Sequence, residues 1–245
     1  MFRAHTGLGS KGLGWPWLAL HGLTTHSSRT RFAGRLNSGI RAHLRTMNLG
    51  IFKKALSKHF YPVLRKAGFR GSGSTLRRVN EPLIYVVNVQ GSSGGDRCYL
   101  NLGAHLSFLP SASFNKEPDK LPEYECAFRS RILPPEGQAF GWSYGTSEQE
   151  AEASALSVAE AWATQGTAFF ERFKAYPESF FKLVANFQPE HVHPADCLLM
   201  ARIAAHLGEA NCAIAIATLG LRRVGEKAVG LRHSINHFIA TTNAL

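Results

Sequence analysis

Between Gly68 and Phe108, apolar and polar residues alternate with a period of two, in runs separated by turn-forming residues. Successive side chains on a strand point to opposite faces, so each run divides into two sets. In 83–90, Leu83, Tyr85, Val87 and Val89 form one set, and Ile84, Val86, Asn88 and Gln90 the other. In 97–108, Cys98, Leu100, Leu102, Ala104 and Leu106 are opposed by Tyr99, Asn101, Gly103, His105 and Ser107. A strand over 74–79 precedes these two, and "GSSGGD" supplies a turn between them. A fourth strand is expected over 125–133, with Arg129 and Arg131 on one face and Phe128 and Ile132 on the other. Trp142 and Tyr144 fall in the loop that follows.

Elsewhere the period is helical. Leu49, Phe52, Leu56, Phe60, Val63 and Leu64 predict a helix over 49–67, kinked or restarted at Pro62 and capped by Gly68. Ala151, Ala155, Val158, Trp162, Phe169 and Phe173 form the stripe of a long helix over 147–173. Ser147 is its expected N-cap, and Gly166 a weak point. Beyond Pro177, residues 178–187, 195–207, 209–220 and 224–242 read as helices with short connections. No repeat period recurs in this Ala-rich tail.

The pattern defines an α+β fold. An antiparallel sheet of about four strands is flanked by an N-terminal helix and a long helix, with an all-helical C-terminal extension. The expected division is a leader (1–46), an α+β domain (47–176) and a helical extension packed on it (177–245).

Charge alters the picture mainly at the N-terminus. The chain of 245 residues carries a net charge of +11. Residues 1–46 hold seven Lys and Arg and no Asp or Glu; removing those seven from the 28 leaves 21 basic against 17 acidic side chains, a net of +4. Bulk charge therefore does not argue for nucleic-acid binding by the body. The leader has three readings: a targeting peptide, a basic disordered arm, or upstream sequence translated from a mis-assigned start. The third is the expectation, because an amphipathic helix begins at Met47. "LGWPWLAL" is too short to span a bilayer. Cys98, Cys126, Cys197 and Cys212 are widely spaced and read as buried thiols of a reducing cytoplasm.

Residues Phe52, Pro62, Leu64, Gly68, Phe69, Leu76, Arg77, Arg78, Asn88, Gln90, Asn101, Leu102, Gly103, Arg129 and Ile132 occur in an order that resembles a bacterial family, domain of unknown function 4304 (DUF4304). The resemblance covers about 47–173, and the tail from Pro177 is an extension to it. It implies an α+β fold and brings no catalytic residues.

If the strands pair in register, Asn88, Gln90, Tyr99, Asn101, His105, Arg129 and Arg131 share one polar face, which is the candidate binding surface. Arginine offers a planar fork for carboxylate or phosphate, amides read hydrogen-bond patterns, and Tyr99 can stack. A solvated outer face, or one partly covered by the C-terminal helices, is the alternative. His191 and His193 flank Val192 before a helix, and His233 and His237 lie four apart; neither pair has further ligands at zinc-site spacing. No metal site and no cofactor are expected. No P-loop, nucleophile elbow or dinucleotide fingerprint occurs.

The expectation is a cytoplasmic, non-enzymatic binding protein with a protein partner and no membrane association, immunity- or inhibitor-like in role. The alternative is nucleic-acid association through Arg77, Arg78, Arg129, Arg131 and Tyr99. A third reading is an enzyme of unrecognised type using His105 with Arg129.

Overall fold

The computed structural model describes residues 35–111, 117–135 and 140–244, and of 35–46 the backbone alone. The expectations for 1–34 lie outside the described residues. Contacts divide the chain into Met1–Gly39 and Ile40–Leu245, and the architecture below is that of the second unit.

Helix α1 (Arg35–His59) passes through Met47 instead of starting there. Leu36, Ile40 and Leu44 stand four apart and carry the helical period back across that point. Pro62 opens α2 (Tyr61–Lys66), where its missing N–H costs nothing. Gly68 follows with φ +89°, the left-handed conformation that lets Phe69 N–H return to Leu64 O at 3.0 Å.

Strands β1 (Thr75–Asn80), β2 (Leu83–Gly91), β3 (Arg97–Leu106) and β4 (Phe128–Ile132) form an antiparallel sheet in sequence order. A fifth strand, β5 (Trp142–Ser143), pairs with the start of β3, where a loop was expected. Burial explains it: Trp142 is in the core, and its indole N–H donates to Ser157 Oγ at 3.1 Å. The outer edge of β4 continues into Leu133, whose N–H and C=O both bond the side-chain amide of Gln165, at 3.2 and 2.9 Å. That amide takes the place of a neighbouring strand at an otherwise open edge.

The apolar face of the sheet carries Leu76, Tyr85, Val87, Leu100, Leu102 and Phe128. Against it pack α1, α3 (Glu148–Ala161) and α4 (Thr167–Glu171). Ser147 caps α3, accepting from Glu150 N–H at 3.2 Å, which is worth about 1 kcal/mol. The long helix expected over 147–173 is interrupted by a π turn at Trp162–Gly166. Gly166 is the seat of the Trp162 indole: a Cβ there would lie 2.5 Å from the ring. Trp162 meets Phe60, Phe69 and Phe170, joining the α1–α2 junction, the segment before β1 and α4.

The tail forms α5 (Glu178–Ala185), α6 (Pro194–His206), α7 (Ala210–Arg222) and α8 (Val229–Thr242). Ala201, Ala204, Ala213 and Ala217 are buried between them, and small side chains let these helices approach closely. Phe180 of α5 joins Phe128 and Phe173, and His206 stacks on Phe108 at 3.6 Å, so the tail shares the core of the sheet domain. No helix among the described residues is long and apolar enough to cross a membrane.

Candidate polar sheet face

The register aligns the seven candidates. Asn88 stands opposite Asn101, Gln90 opposite Tyr99, Asn101 opposite Arg131, and Gly103 opposite Arg129. On the other side, Asn88 pairs with Thr75. Thr75 belongs to the face although no sequence feature marked it except the alternation of β1.

Half of this face is open and half is covered. On the open half, polar contacts span the four strands in two groups, one between β1 and β2 and one across β2, β3 and β4. Asn88 donates to Thr75 Oγ1 at 2.7 Å, and Asn101 donates to Gln90 Oε1 at 2.8 Å. Arg131 donates through Nε to Asn101 Oδ1 at 2.8 Å and through a terminal nitrogen to Gln90 Oε1 at 3.4 Å. The guanidinium of Arg131 also lies over the Tyr99 ring, 4.6 Å from its centroid. Tyr99 packs against Gly141, where a Cβ would come within 2.8 Å of the ring. Asn101 is only 5% exposed, whereas Gln90 and Arg131 face solvent. Buried amides need partners, and here Asn101 uses both ends of its side chain. Glu123 stands near Arg129 and Arg131 at the rim, and burial pushes its carboxyl up despite their charge.

The other half is roofed by residues 117–127. Leu121 and Cys126 pack on Ile84 and Val86 in a small second core. Gly103 makes this possible, since a Cβ there would stand 2.5 Å from Cys126 Sγ. Arg77 holds the roof by donating to Leu121 O at 2.6 Å and Lys120 O at 3.3 Å. Arg129 donates to Tyr124 O at 3.3 Å. The cover on Ile84 and Val86 is therefore this loop, in place of the C-terminal helices considered from sequence. The signal for it was present: two apolar residues on a nominally polar face require a lid.

His105 lies under that lid, 4% exposed, and does not belong to the open surface. Its Nδ1 accepts from Ala127 N–H at 3.1 Å, so Nε2 carries the proton and donates to Leu109 O at 3.2 Å. Burial holds its pKa below the usual histidine value. Arg78, named for the nucleic-acid reading, also lies off this face. It pairs with Tyr85 across the hairpin and lies over the rings of Phe69 and Tyr85, on the opposite side of the sheet from Arg77.

Among the described residues, no group of three or more His, Cys, Asp or Glu is placed to hold a metal ion. The His233 and His237 rings stand parallel with centroids 6.5 Å apart, and His193 caps α6 by accepting from Ala195 N–H at 3.2 Å. All four cysteines are free; burial raises the Cys98 thiol to about 12 and also pushes up Cys126 and Cys197.

A helix-backed antiparallel sheet with one polar face partly open defines an α+β domain. Residues 60–172 match the model of the family described as Domain of unknown function (DUF4304), and that stretch carries this domain. The match begins at Phe60, after the Met47 boundary and Phe52, and ends within the turn after α4. It contains all seven candidate residues and stops short of α5 to α8. Comparisons with curated proteins and with solved structures each returned no match.

Proposed function

We propose that this chain binds another protein through the open half of the polar face, in an immunity- or inhibitor-like role, and that it does no chemistry. The observation that carries the reading is the Tyr99–Arg131–Asn101–Gln90 network. It holds an arginine and a tyrosine in place, and these residue types dominate the binding energy of protein interfaces. Ordering them in advance reduces the entropy lost on association. We further place the protein in a bacterial cytoplasm, a reading supported by its four free cysteines.

Three observations weigh against the nucleic-acid reading. Arg77 and Arg129 donate to backbone carbonyls, Arg78 lies across the sheet, and the Tyr99 ring already carries Arg131. The reading of His105 as a catalytic group lacks support because both ring nitrogens are bonded to backbone.

Affinity capture from the source cell tests the proposal, with Arg131→Ala and Tyr99→Ala on the face and Lys182→Ala, on α5, as control. A partner retained by the control and lost from both face variants is the expected result. Equal recovery with all variants overturns it. Loss of binding that steepens with added salt, with nuclease-sensitive recovery, would point to nucleic acid instead.

A further inference from the structure

A second feature lies on the other side of the sheet and does not depend on the reading above. A cavity of about 400 Å³ opens between the β1–β2 turn and the end of α4. Small-molecule sites fall in this size range and combine apolar walls with a few placed polar groups. Here Tyr85 and Phe170, meeting edge to face at 4.9 Å, supply apolar wall, and Tyr176, Arg78 and Lys174 also line it.

Arg78 is the unusual member. It is half-buried and held from two sides. One terminal nitrogen donates to Ala67 O at 3.0 Å, and its guanidinium carbon lies 5.1 Å from the Phe69 ring centroid and 4.7 Å from that of Tyr85. Gly68 leaves room for its stem, since a Cβ there would be 3.2 Å from Arg78 Cδ. Its side chain also hydrogen-bonds the Tyr85 hydroxyl, but its Nε is buried without a partner, and among the described residues Arg78 forms no ion pair. An unmet charged donor of this kind is costly to keep in a folded protein. The two carboxylates of the cavity are engaged elsewhere: Glu171 with Lys174 at 3.2 Å, and Glu81 with the Ser107 hydroxyl at 2.5 Å. Arg78 is thus a pre-ordered, planar cation with no direct ion-pair partner, at the wall of a cavity that the Tyr85 and Phe170 rings and the Glu81 and Glu171 carboxylates also line.

We propose that this cavity binds a small aromatic carboxylate. Its carboxylate pairs with the Arg78 guanidinium, and its ring lies against Phe170 and Tyr176. Arginine presents its N–H groups in a fork that matches a carboxylate. Lys174, 72% exposed at the rim, pairs with Glu171 at 3.2 Å and so keeps that carboxylate from repelling the ligand.

The test is an NMR titration of the full-length ¹⁵N-labelled chain with benzoate, and with benzamide as the neutral analogue of the same shape. A saturable shift of the Arg78 Nε–H signal with benzoate, and binding of benzamide weaker by about tenfold or more, is the expected result. Lys174→Glu, which alters only an exposed rim residue, weakens benzoate and leaves benzamide unchanged. Because Arg78→Gln removes a contact of the core, it is read only if its spectrum shows a folded chain. No saturable benzoate shift, equal affinity for benzamide, or unaltered benzoate affinity in folded Arg78→Gln overturns the proposal. Inorganic phosphate binding as tightly as benzoate overturns the aromatic requirement.

Discussion

Arg131 lies over the ring of Tyr99, its guanidinium carbon 4.6 Å from the centroid, although the remainder of β3 and the long connection to β4 separate the two residues in sequence. The pair sits where β3 and β4 meet on the open half of the face. A cation over an aromatic ring at such a site is worth about 0.5–1 kcal/mol. Arg131→Ala is therefore expected to lower stability by about 1 kcal/mol, counting the lost bond to Asn101. Urea unfolding measures it, with a lowered midpoint and an unchanged slope. A loss above about 3 kcal/mol would mean that the network supports the fold more than a surface.

His105 predicts a pH dependence. Burial depresses its folded-state pKa below the ordinary 6.5, so the folded chain resists a proton that the unfolded chain accepts. The unfolded state then binds more protons as pH falls through 6.5, and stability falls with it until the folded pKa is reached. Within that window the slope approaches about 1.4 kcal/mol per pH unit for one histidine. Denaturation measured from pH 7.5 downward should show stability beginning to fall as pH passes below about 6.5, and His105→Gln should flatten that fall. A His105 ring that titrates by NMR at or above 6.5 would contradict the assignment.

Gly103 predicts the cost of lifting the roof. A methyl group at this position collides with Cys126, so Gly103→Ala forces the 117–127 loop off the sheet, at a cost of about 1–3 kcal/mol. Hydrogen exchange at the Ala127 amide, which His105 accepts, should quicken in the variant. Gly50→Ala is the control: it lies in α1 with open space around it and should stabilise by about 0.5–1 kcal/mol.

The thiols predict a reactivity order. Cys98, Cys126 and Cys197 are buried with raised pKa values, whereas Cys212 is half-buried. Thiolates are the reactive form, so native protein should release colour from a disulfide reagent at Cys212 alone on the minute scale. Denatured protein should react at all four. Rapid native modification of Cys126 would show that the roof opens readily.

Much of the fold was legible because period and punctuation agree along the chain. The four main strands and the four C-terminal helices fall within a few residues of their expected places. Two errors share one cause. The π turn at Trp162 and the short β5 at Trp142 are each set by where a large indole must be buried, and periodicity does not encode that. The backward extension of α1 was legible in the spacing of Leu36, Ile40 and Leu44.

The alternation of β2, β3 and β4 by itself determined which side chains share a face. That is local stereochemistry: neighbouring residues on a strand must point apart. Only the tertiary structure decided which part of that face meets solvent. Leu121 and Cys126 come from a loop whose path depends on room above Gly103, and they seal Ile84, Val86 and His105 beneath them. The same holds for Arg77 and Arg78. Their adjacency in sequence puts them on opposite faces, but that Arg77 meets the Leu121 carbonyl, and that Arg78 stands at a cavity wall with Phe170, depends on elements far along the chain.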